Sequence, residues 1–274
     1  MNEPNKPDHK PTARRLRDKN NELQKPNLQR VLCDISTFQQ KPGRSVVNPY
    51  ECLKCGGLGV IINAENVASP CSCGAWEKDQ TLERLKAARI PKRFDKKTLD
   101  SFLSQGPNRV REELKQNAKS YAKTFSREED RGIVLHGGTG AGKTHLAVGI
   151  LKEIINRGYT GVYYNVTELL NDLRSSYSKE SDLTEQTLLE RIHAADIVVF
   201  DDVGAEAPSN WVLDRLYLMF NRRYENAKPV IITTNCTRGE LKERVGERIT
   251  SRLYEMCFPL GKFPEEDYRY TNMQ

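Results

Sequence analysis

The eight residues 137–144 are Gly-Gly-Thr-Gly-Ala-Gly-Lys-Thr, and they fit the pattern G-x-x-x-x-G-K-[ST] of a phosphate-binding loop, or P-loop. The apolar residues 133–135 precede the loop as a strand would, and an amphipathic stretch follows it as a helix would. Glycines let backbone N–H groups turn toward phosphate oxygens, and the dipole of the following helix adds to this attraction. The stretch therefore predicts an α/β fold that binds ATP through this loop. The predicted ATP contacts are Gly137, Gly138, Thr139, Gly140, Ala141, Gly142, Lys143, Thr144 and His145.

Two residues of the loop have more specific predicted roles, and a second segment supplies their acidic partners. Lys143 is expected to reach the β- and γ-phosphates, and the Thr144 hydroxyl is expected to ligate Mg²⁺. The apolar residues 197–200 indicate a buried strand that ends in two carboxylates. Asp201 is expected to hold Mg²⁺ through water, and Asp202 is expected to orient or deprotonate the attacking water. The two segments together predict ATP hydrolysis.

A third polar strand end is predicted after the apolar residues 230–232. The chain continues there to Asn235, whose amide is expected to position the attacking water and sense the γ-phosphate. Apolar strands alternate with amphipathic helices, which predicts a parallel sheet covered by helices on both faces. The predicted strands are 133–136, 161–165, 197–201 and 230–234, and the predicted helices are 76–88, 143–156, 168–175, 185–194, 210–225 and one or two between 240 and 256.

The order of these motifs, completed by Gly246-Glu247-Arg248-Ile249-Thr250-Ser251-Arg252-Leu253, resembles that of the DnaC/DnaI/IstB family. Members of this family are AAA+ ATPases of bacteria and their phages, and most are replicative helicase loaders. The resemblance covers residues 88–270, and Asp201-Asp202-Val203-Gly204-Ala205-Glu206 is especially similar to the DnaI form. It implies an AAA+ fold, a DnaB-type helicase as partner, single-stranded DNA as a ligand, and a homo-oligomer assembled on the helicase.

The resemblance also implies roles for residues outside the P-loop. Arg252 would be an arginine finger that reaches the γ-phosphate bound by a neighbouring subunit, with Arg248 as the less favoured finger. Arg269, near the end of the chain, would contact the nucleotide of its own subunit. Many AAA+ proteins have Glu where this chain has Asp202, so Glu206 remains an alternative residue for polarising the water. The active site would then be complete only between subunits.

Four of the seven cysteines form a separate cluster, a CxxC pair and a CxC pair with 15 residues between them: Cys52, Cys55, Cys71 and Cys73. Four thiolates suffice for a tetrahedral structural zinc site, which makes Zn²⁺ the predicted metal. An iron–sulfur cluster and four free cysteines are the alternatives. So short a segment has almost no core of its own, and metal binding would supply most of its folding energy. We predict a zinc module with a linker helix at residues 50–90, and we expect it to help dock the helicase.

Charge and composition complete the domain prediction. The net charge is +6, and residues 1–50 contain ten Lys or Arg against five Asp or Glu. This proline-rich stretch has little hydrophobic periodicity, which predicts a largely disordered basic arm at 1–49 with a short helix near 14–24. The arm is expected to meet an acidic partner or nucleic acid, with a solubilising tail as the alternative. No stretch has the length and apolarity of a membrane span or a signal peptide, so we expect a cytoplasmic protein whose AAA+ domain occupies 91–274.

These predictions favour an ATP-dependent helicase loader that acts in the initiation of DNA replication. An IstB-type transposition accessory ATPase, which would act on duplex DNA with a transposase, is the alternative, and the cysteine module favours the loader. A small-molecule kinase is the other common use of a P-loop. It is disfavoured because Asp202, Asn235 and Arg252 suit the activation of water better than a second substrate pocket.

Overall fold

The computed structural model describes residues 52–63, 66–102, 109–128, 131–177, 184–264 and 267. The predicted basic arm at 1–49 and its short helix lie outside these residues. The chain divides into two compact units, residues 1–78 and 79–274. Within the described ranges, no helix is both long enough and apolar enough to cross a membrane.

The first unit contains the four cysteines and a two-stranded antiparallel hairpin. Its strands are β1 (Val60–Ile62) and β2 (Ala68–Pro70), and helix α1 (Ala75–Ala87) begins in the same unit. Gly59, just before β1, has a φ of +72°, and a Cβ there would lie 2.4 Å from the backbone nitrogen of Trp76. Because only glycine tolerates both conditions, this position fixes the tight approach of the hairpin to the start of α1.

The second unit is a five-stranded parallel sheet flanked by helices, which confirms the predicted fold class. The strand order across the sheet is β4-β5-β6-β3-β7, and each pair of neighbours is parallel. In chain order, after a short 3-10 turn at Lys92–Phe94, the elements are α2 (Arg109–Thr124), β3 (Gly132–His136), α3 (Lys143–Asn156), β4 (Gly161–Asn165), α4 (Val166–Ser175), α5 (Glu185–Ala194), β5 (Ile197–Asp201), α6 (Asn210–Glu225), β6 (Val230–Thr234), α7 (Arg238–Val245), α8 (Glu247–Met256) and β7 (Cys257–Pro259).

Two hydrophobic clusters bury the two faces of this sheet. Val199 of β5 belongs to the cluster that includes α2 and α3, whereas its neighbour Val198 belongs to the cluster that includes α4 to α8. Side chains alternate between the faces of a strand, so a strand that is covered on both faces is apolar throughout. Every residue of β5 and of β6 is buried, which explains why their apolar runs predict them so well.

In the second unit, one α-helix and one strand are not predicted by the sequence pattern. Helix α2 is strongly polar, and it buries only a sparse stripe that includes Leu114, Ala118 and Tyr121. Strand β7 has only three residues and pairs with β3, so it is too short to show a period-two pattern. The helices predicted between 240 and 256 are α7 and α8, which are separated at Gly246, where φ is +87°.

The strand order brings three loops to one edge of the sheet. Strands β5, β6 and β3 are parallel neighbours, so their carboxyl ends meet at the same edge. Asp201 ends β5, Asn235 follows β6, and the P-loop follows β3. Open α/β sheets bind their ligands in the crevice outside the carboxyl ends of the strands, so the ligand-binding site is expected at this edge.

Candidate nucleotide-binding site

The P-loop connects β3 to α3 and turns on glycines with left-handed backbone conformations. The φ angles are +73° at Gly140 and +98° at Gly142. A Cβ on Gly142 would also lie 2.8 Å from Cε2 of Phe102. Gly142 is the N-cap of α3, so the N-terminus of this helix, which carries the positive end of the helix dipole, lies in the loop. This backbone form suits an anion such as a phosphate group.

The side chain of Lys143 lies inside the loop, and the residue is only 6% exposed. Its Nζ donates to the carbonyl oxygens of Gly137 at 2.8 Å and Gly138 at 2.7 Å. It also donates to the amide oxygen of Asn235. The fold therefore brings the predicted phosphate-binding lysine into contact with the predicted water-positioning residue.

The buried carboxylate of Asp201 accepts hydrogen bonds from three hydroxyl groups. Thr144 donates to Oδ1 at 2.9 Å, Thr233 donates to Oδ1 at 2.7 Å, and Tyr163 donates to Oδ2 at 2.6 Å. Burial and the negative charge of Asp201 raise the pKa of Tyr163, so this phenol stays protonated and remains a donor. The adjacent hydroxyl and carboxylate of Thr144 and Asp201 are hard oxygen ligands of the kind that Mg²⁺ prefers. The residues present fit the implied ion.

Asp202 adopts a left-handed backbone conformation, with φ of +60°, that is uncommon outside glycine. Its N–H donates to Oγ1 of Thr233 at 2.9 Å, which holds the turn, and Nδ2 of Asn165 lies 3.4 Å from its Oδ2. Asp202 lines the nucleotide cavity, whereas Glu206 is not among the described residues that do so. The placement favours Asp202 over Glu206 as the carboxylate beside the bound nucleotide.

The loop and the strand ends enclose a cavity of about 560 Å³, and a segment before α2 forms another wall of it. The guanidinium of Arg93 lies 5.1 Å above the ring of Phe94 in that wall. Arg93 and Lys97 add positive charge where a polyanion would enter. The sequence signal for this wall is a Lys-Arg-Phe stretch without periodicity, which reasoning from pattern does not single out. The lining residues are Arg93, Phe94, Lys97, Thr139, Gly140, Gly142, Lys143, Thr144, His145, Asp202, Ala205 and Asn235.

His145 lines the cavity and also holds the segment at 98–102. Its Nε2 lies 2.9 Å from the carbonyl oxygen of Thr98 and 3.0 Å from Oγ of Ser101. The ring meets that of Phe102 edge-on, with 5.3 Å between the centroids. Burial lowers the pKa of His145, which favours the neutral imidazole. This residue therefore anchors residues 98–102 beside the P-loop, in addition to its predicted contact with ATP.

Arg252 lies on α8 and is not among the described residues that line the cavity of its own subunit. Its guanidinium sits between the rings of Tyr217 and Tyr224, with Cζ at 4.8 Å and 5.3 Å from their centroids. Its Nη1 is buried and has no hydrogen-bond partner within the described ranges. Arg248 is exposed one turn earlier, and Arg269 lies outside the described residues. The position of Arg252, away from the cavity of its own subunit, is compatible with a role at the site of a neighbouring subunit.

The sulfur atoms of the four cysteines in the first unit all lie within 4.8 Å of one another. The separations are 3.7 Å for Cys52–Cys71 and 3.6 Å for Cys55–Cys73. Four sulfurs at about 2.3 Å from one tetrahedral ion would be about 3.8 Å apart. The N–H of Gly59 lies 3.3 Å from Sγ of Cys55, and backbone N–H groups of the Cys55 turn lower the pKa of Cys52 to about 7. Burial and hydrogen bonds from the neighbouring thiols raise the pKa of Cys73 to about 11, so the four thiols do not all favour the thiolate by themselves. The sulfur geometry and the four-cysteine donor set fit a single zinc ion, whose charge would stabilise the thiolates.

The chain matches a known protein family and has relatives of known name. The model of the family of IstB-like ATP binding proteins matches residues 76–253. The phage-like element PBSX protein XkdC of Bacillus subtilis is 30% identical over 229 residues, which are 79% of this chain and 83% of that protein. The replicative helicase loader DnaC of Escherichia coli K12 is 28% identical over 192 residues, which are 65% of this chain and 78% of that protein.

Solved structures show the same fold. The crystal structure of the DnaC helicase loader has a TM-score of 0.56 and 29% identity, and the match covers 62% of this chain and 98% of that one. The crystal structure of DnaI has a TM-score of 0.54 and 21% identity, with coverage of 65% of this chain and 94% of that one. The second likeness concerns the fold alone.

Proposed function

We propose that this chain, which belongs to the family of IstB-like ATP binding proteins, is an ATP-dependent loader of a replicative helicase. Its partners would be a DnaB-type helicase and, through the AAA+ domain, single-stranded DNA, and it would act in the bacterial cytoplasm at the initiation of replication. One observation carries the proposal. The P-loop contacts both Asp201 and Asn235 in a chain that is 28% identical to a replicative helicase loader.

The site geometry supports hydrolysis of the bound ATP. Lys143 would bind the β- and γ-phosphates with the ammonium that now contacts loop carbonyls and Asn235. Thr144 and Asp201 would hold Mg²⁺, whose charge stabilises the charge that develops on the phosphates. Asp202 would orient or deprotonate the attacking water, and Asn235 would hold that water from the end of β6. The position of each side chain at the edge of the sheet supports its proposed role.

The remaining charge at the γ-phosphate would be stabilised from a neighbouring subunit. Arg252 lies on α8, away from the cavity of its own subunit, and its guanidinium is held over the rings of Tyr217 and Tyr224 of α6. We assign it as the arginine finger of the neighbouring site, which makes hydrolysis depend on a homo-oligomer. Arg269 keeps its proposed role toward the nucleotide of its own subunit. The subunits would assemble on the helicase, and the helicase would thereby control ATP hydrolysis.

The four-cysteine segment is proposed as a zinc module that docks the helicase together with the basic arm. A single ion suits sulfur separations of 3.6 and 3.7 Å, whereas the several irons of a cluster would hold their sulfurs farther apart. Leu53 and Leu58 of this unit are exposed, at 103% and 48%, and they offer apolar contacts to a partner. The structural units meet at residues 78 and 79, within the linker helix; by function we propose an arm at 1–49, a zinc module with its linker helix at 50–90, and an AAA+ domain at 91–274.

A transposition accessory ATPase is the second candidate, because the matched family is named after IstB. That protein would use the same ATP site but would bind duplex DNA and a transposase. The distinction lies in the partner and not in the ATP chemistry. The 28% identity to a replicative helicase loader favours the loader.

Co-purification with the replicative helicase of the host tests the proposal. The full chain, with ATP and without it, is mixed with the helicase, and the complex is isolated by size exclusion. The loader predicts a stable complex that Cys73→Ser weakens and that Lys143→Ala retains, because docking and ATP binding lie in different parts of the chain. Failure to bind the helicase, together with ATP-dependent binding to duplex DNA, would instead favour the transposition factor.

A further inference from the structure

Tyr163 is a buried residue of β4 that contacts the candidate Mg²⁺ site but belongs to none of its motifs. Its side chain is 4% exposed, and its hydroxyl donates to Oδ2 of Asp201 at 2.6 Å. A hydrogen bond from a hydroxyl to a carboxylate at this distance is of the strong, charge-assisted kind. The contact joins β4 to the end of β5, directly beside the P-loop.

The phenol completes a set of donors that fixes the orientation of the Asp201 carboxylate. Thr233 of β6 and Thr144 of α3 donate to Oδ1 from two directions, and Tyr163 of β4 donates to Oδ2 from a third. The threonines lie closest to Oδ1, and Thr144 also lies 3.2 Å from Oδ2. Tyr163 makes a shorter contact to Oδ2, at 2.6 Å, and therefore adds the stronger restraint on this second oxygen.

Tyr163 is itself held firmly in place. Its N–H donates to the carbonyl oxygen of Ala88 at 2.8 Å, and its ring packs against Phe94 at 6.0 Å between the centroids. Phe94 also lines the nucleotide cavity. The hydroxyl is therefore aimed at Asp201 by the backbone of β4 and by the wall of the cavity.

We propose that Tyr163 is a positioning residue of the Mg²⁺ site, which fixes the Asp201 carboxylate in the orientation that holds the hydrated ion next to Thr144. This inference rests on the proposed function, because it takes Asp201 as the carboxylate of an ATP·Mg²⁺ site. Partners that orient metal-binding carboxylates typically change metal affinity by about 10–100-fold when they are removed.

The chain offers a matched control at the next position. Tyr164 also lies in β4, but it points to the opposite face of the sheet and packs in the other hydrophobic cluster. Its buried hydroxyl has no hydrogen-bond partner within the described ranges. Tyr163→Phe and Tyr164→Phe therefore remove the same atom from the same strand, and only the first removal affects Asp201.

The experiment measures binding of a fluorescent ATP analogue to the full chain while Mg²⁺ is titrated. Tyr163→Phe should raise the Mg²⁺ concentration for half-maximal tight binding by about 10-fold or more, and Tyr164→Phe should match the parent. With EDTA, all three proteins should bind the analogue equally weakly, because the phosphate contacts of the P-loop are intact. Thermal unfolding in EDTA verifies that each variant is folded.

Three outcomes would overturn the inference: an unchanged Mg²⁺ midpoint for Tyr163→Phe, an equal shift for Tyr164→Phe, or loss of binding by Tyr163→Phe in EDTA. A parent whose binding does not depend on Mg²⁺ would instead contradict the proposed function of the site. If the single variant Tyr163→Phe does not fold, the same Mg²⁺ titration is carried out on Asp201→Asn and on the double variant Asp201→Asn/Tyr163→Phe. Because Tyr163 is proposed to act through Asp201, the two proteins should have the same Mg²⁺ midpoint. A higher midpoint for the double variant would refute the proposed role of Tyr163.

Discussion

Replacing Arg252 by alanine should greatly reduce the hydrolysis of ATP while lowering the stability of the subunit only slightly. The guanidinium stacks on two rings at 4.8 and 5.3 Å, and each such contact at a partly exposed site contributes about 0.5–1 kcal/mol. The isolated subunit should therefore lose about 1–2 kcal/mol of stability. For a domain of this size, each kcal/mol lowers the Tm by about 2–4 °C. With a typical reserve of about 5–15 kcal/mol, nearly all of the protein remains folded.

The effect on catalysis should be far larger. Arginine fingers contribute about 10³–10⁵ in rate, which corresponds to about 4–7 kcal/mol of transition-state stabilisation. Because the finger acts on charge that develops during phosphoryl transfer, binding of ATP should change little. The loss of stability is thus too small to explain the expected loss of activity.

The assay measures ATP binding and ATP hydrolysis over a wide range of protein concentrations, with the helicase and without it. Arg248→Ala is the matched control, since Arg248 lies on the same helix one turn earlier and is exposed. Mixing Arg252→Ala with Lys143→Ala should restore part of the activity, because each variant lacks a different half of a shared site. Parent-level turnover by Arg252→Ala at every protein concentration would exclude Arg252 as the arginine finger, and loss of activity in Arg248→Ala alone would assign that role to Arg248.

Three further predictions concern other parts of the chain. Lys143→Ala should abolish tight ATP binding in equilibrium titrations, because backbone N–H groups cannot replace the charge of the ammonium; normal binding would exclude the P-loop assignment. Metal analysis should find about one zinc per chain, and Cys52→Ser or Cys73→Ser should release it while the ATPase domain keeps its unfolding transition; an iron chromophore would contradict the zinc assignment. Burial, as the larger cause, and nearby cations lower the pKa of His193 to about 4 in the folded protein. The imidazole of His193 therefore binds a proton more readily in the unfolded chain. Urea unfolding should therefore show stability falling as the pH drops from about 6.5 toward 4, and falling less in His193→Leu.

The sequence predicts the sheet and the P-loop site well, because both rest on local patterns. The apolar run before Asp201 is buried on both faces of the sheet, and such runs carry a strong strand signal. The predicted bounds of α3 and β5 agree with the structure for the same reason. Lys143, Thr144, Asp201 and Asn235 meet as expected, because parallel strands bring their carboxyl ends to one edge.

The parts that sequence reasoning missed depend on contacts between distant segments. Tyr163 is an ordinary aromatic residue of a strand until the fold places its hydroxyl against Asp201. Arg93 and Phe94 line the cavity only because the segment before α2 returns to the P-loop. Neither position has a spacing signal, since packing between elements determines both.

A helicase loader uses ATP to place a helicase on single-stranded DNA. The most direct measurement is the amount of the host's replicative helicase retained on a closed single-stranded DNA circle, isolated by gel filtration after incubation with the full chain and ATP. Retention should require the chain, and Lys143→Ala should bind the helicase but fail to deliver it. Equal retention without the chain, or with Lys143→Ala in its place, would show that this chain does not use ATP to load the helicase.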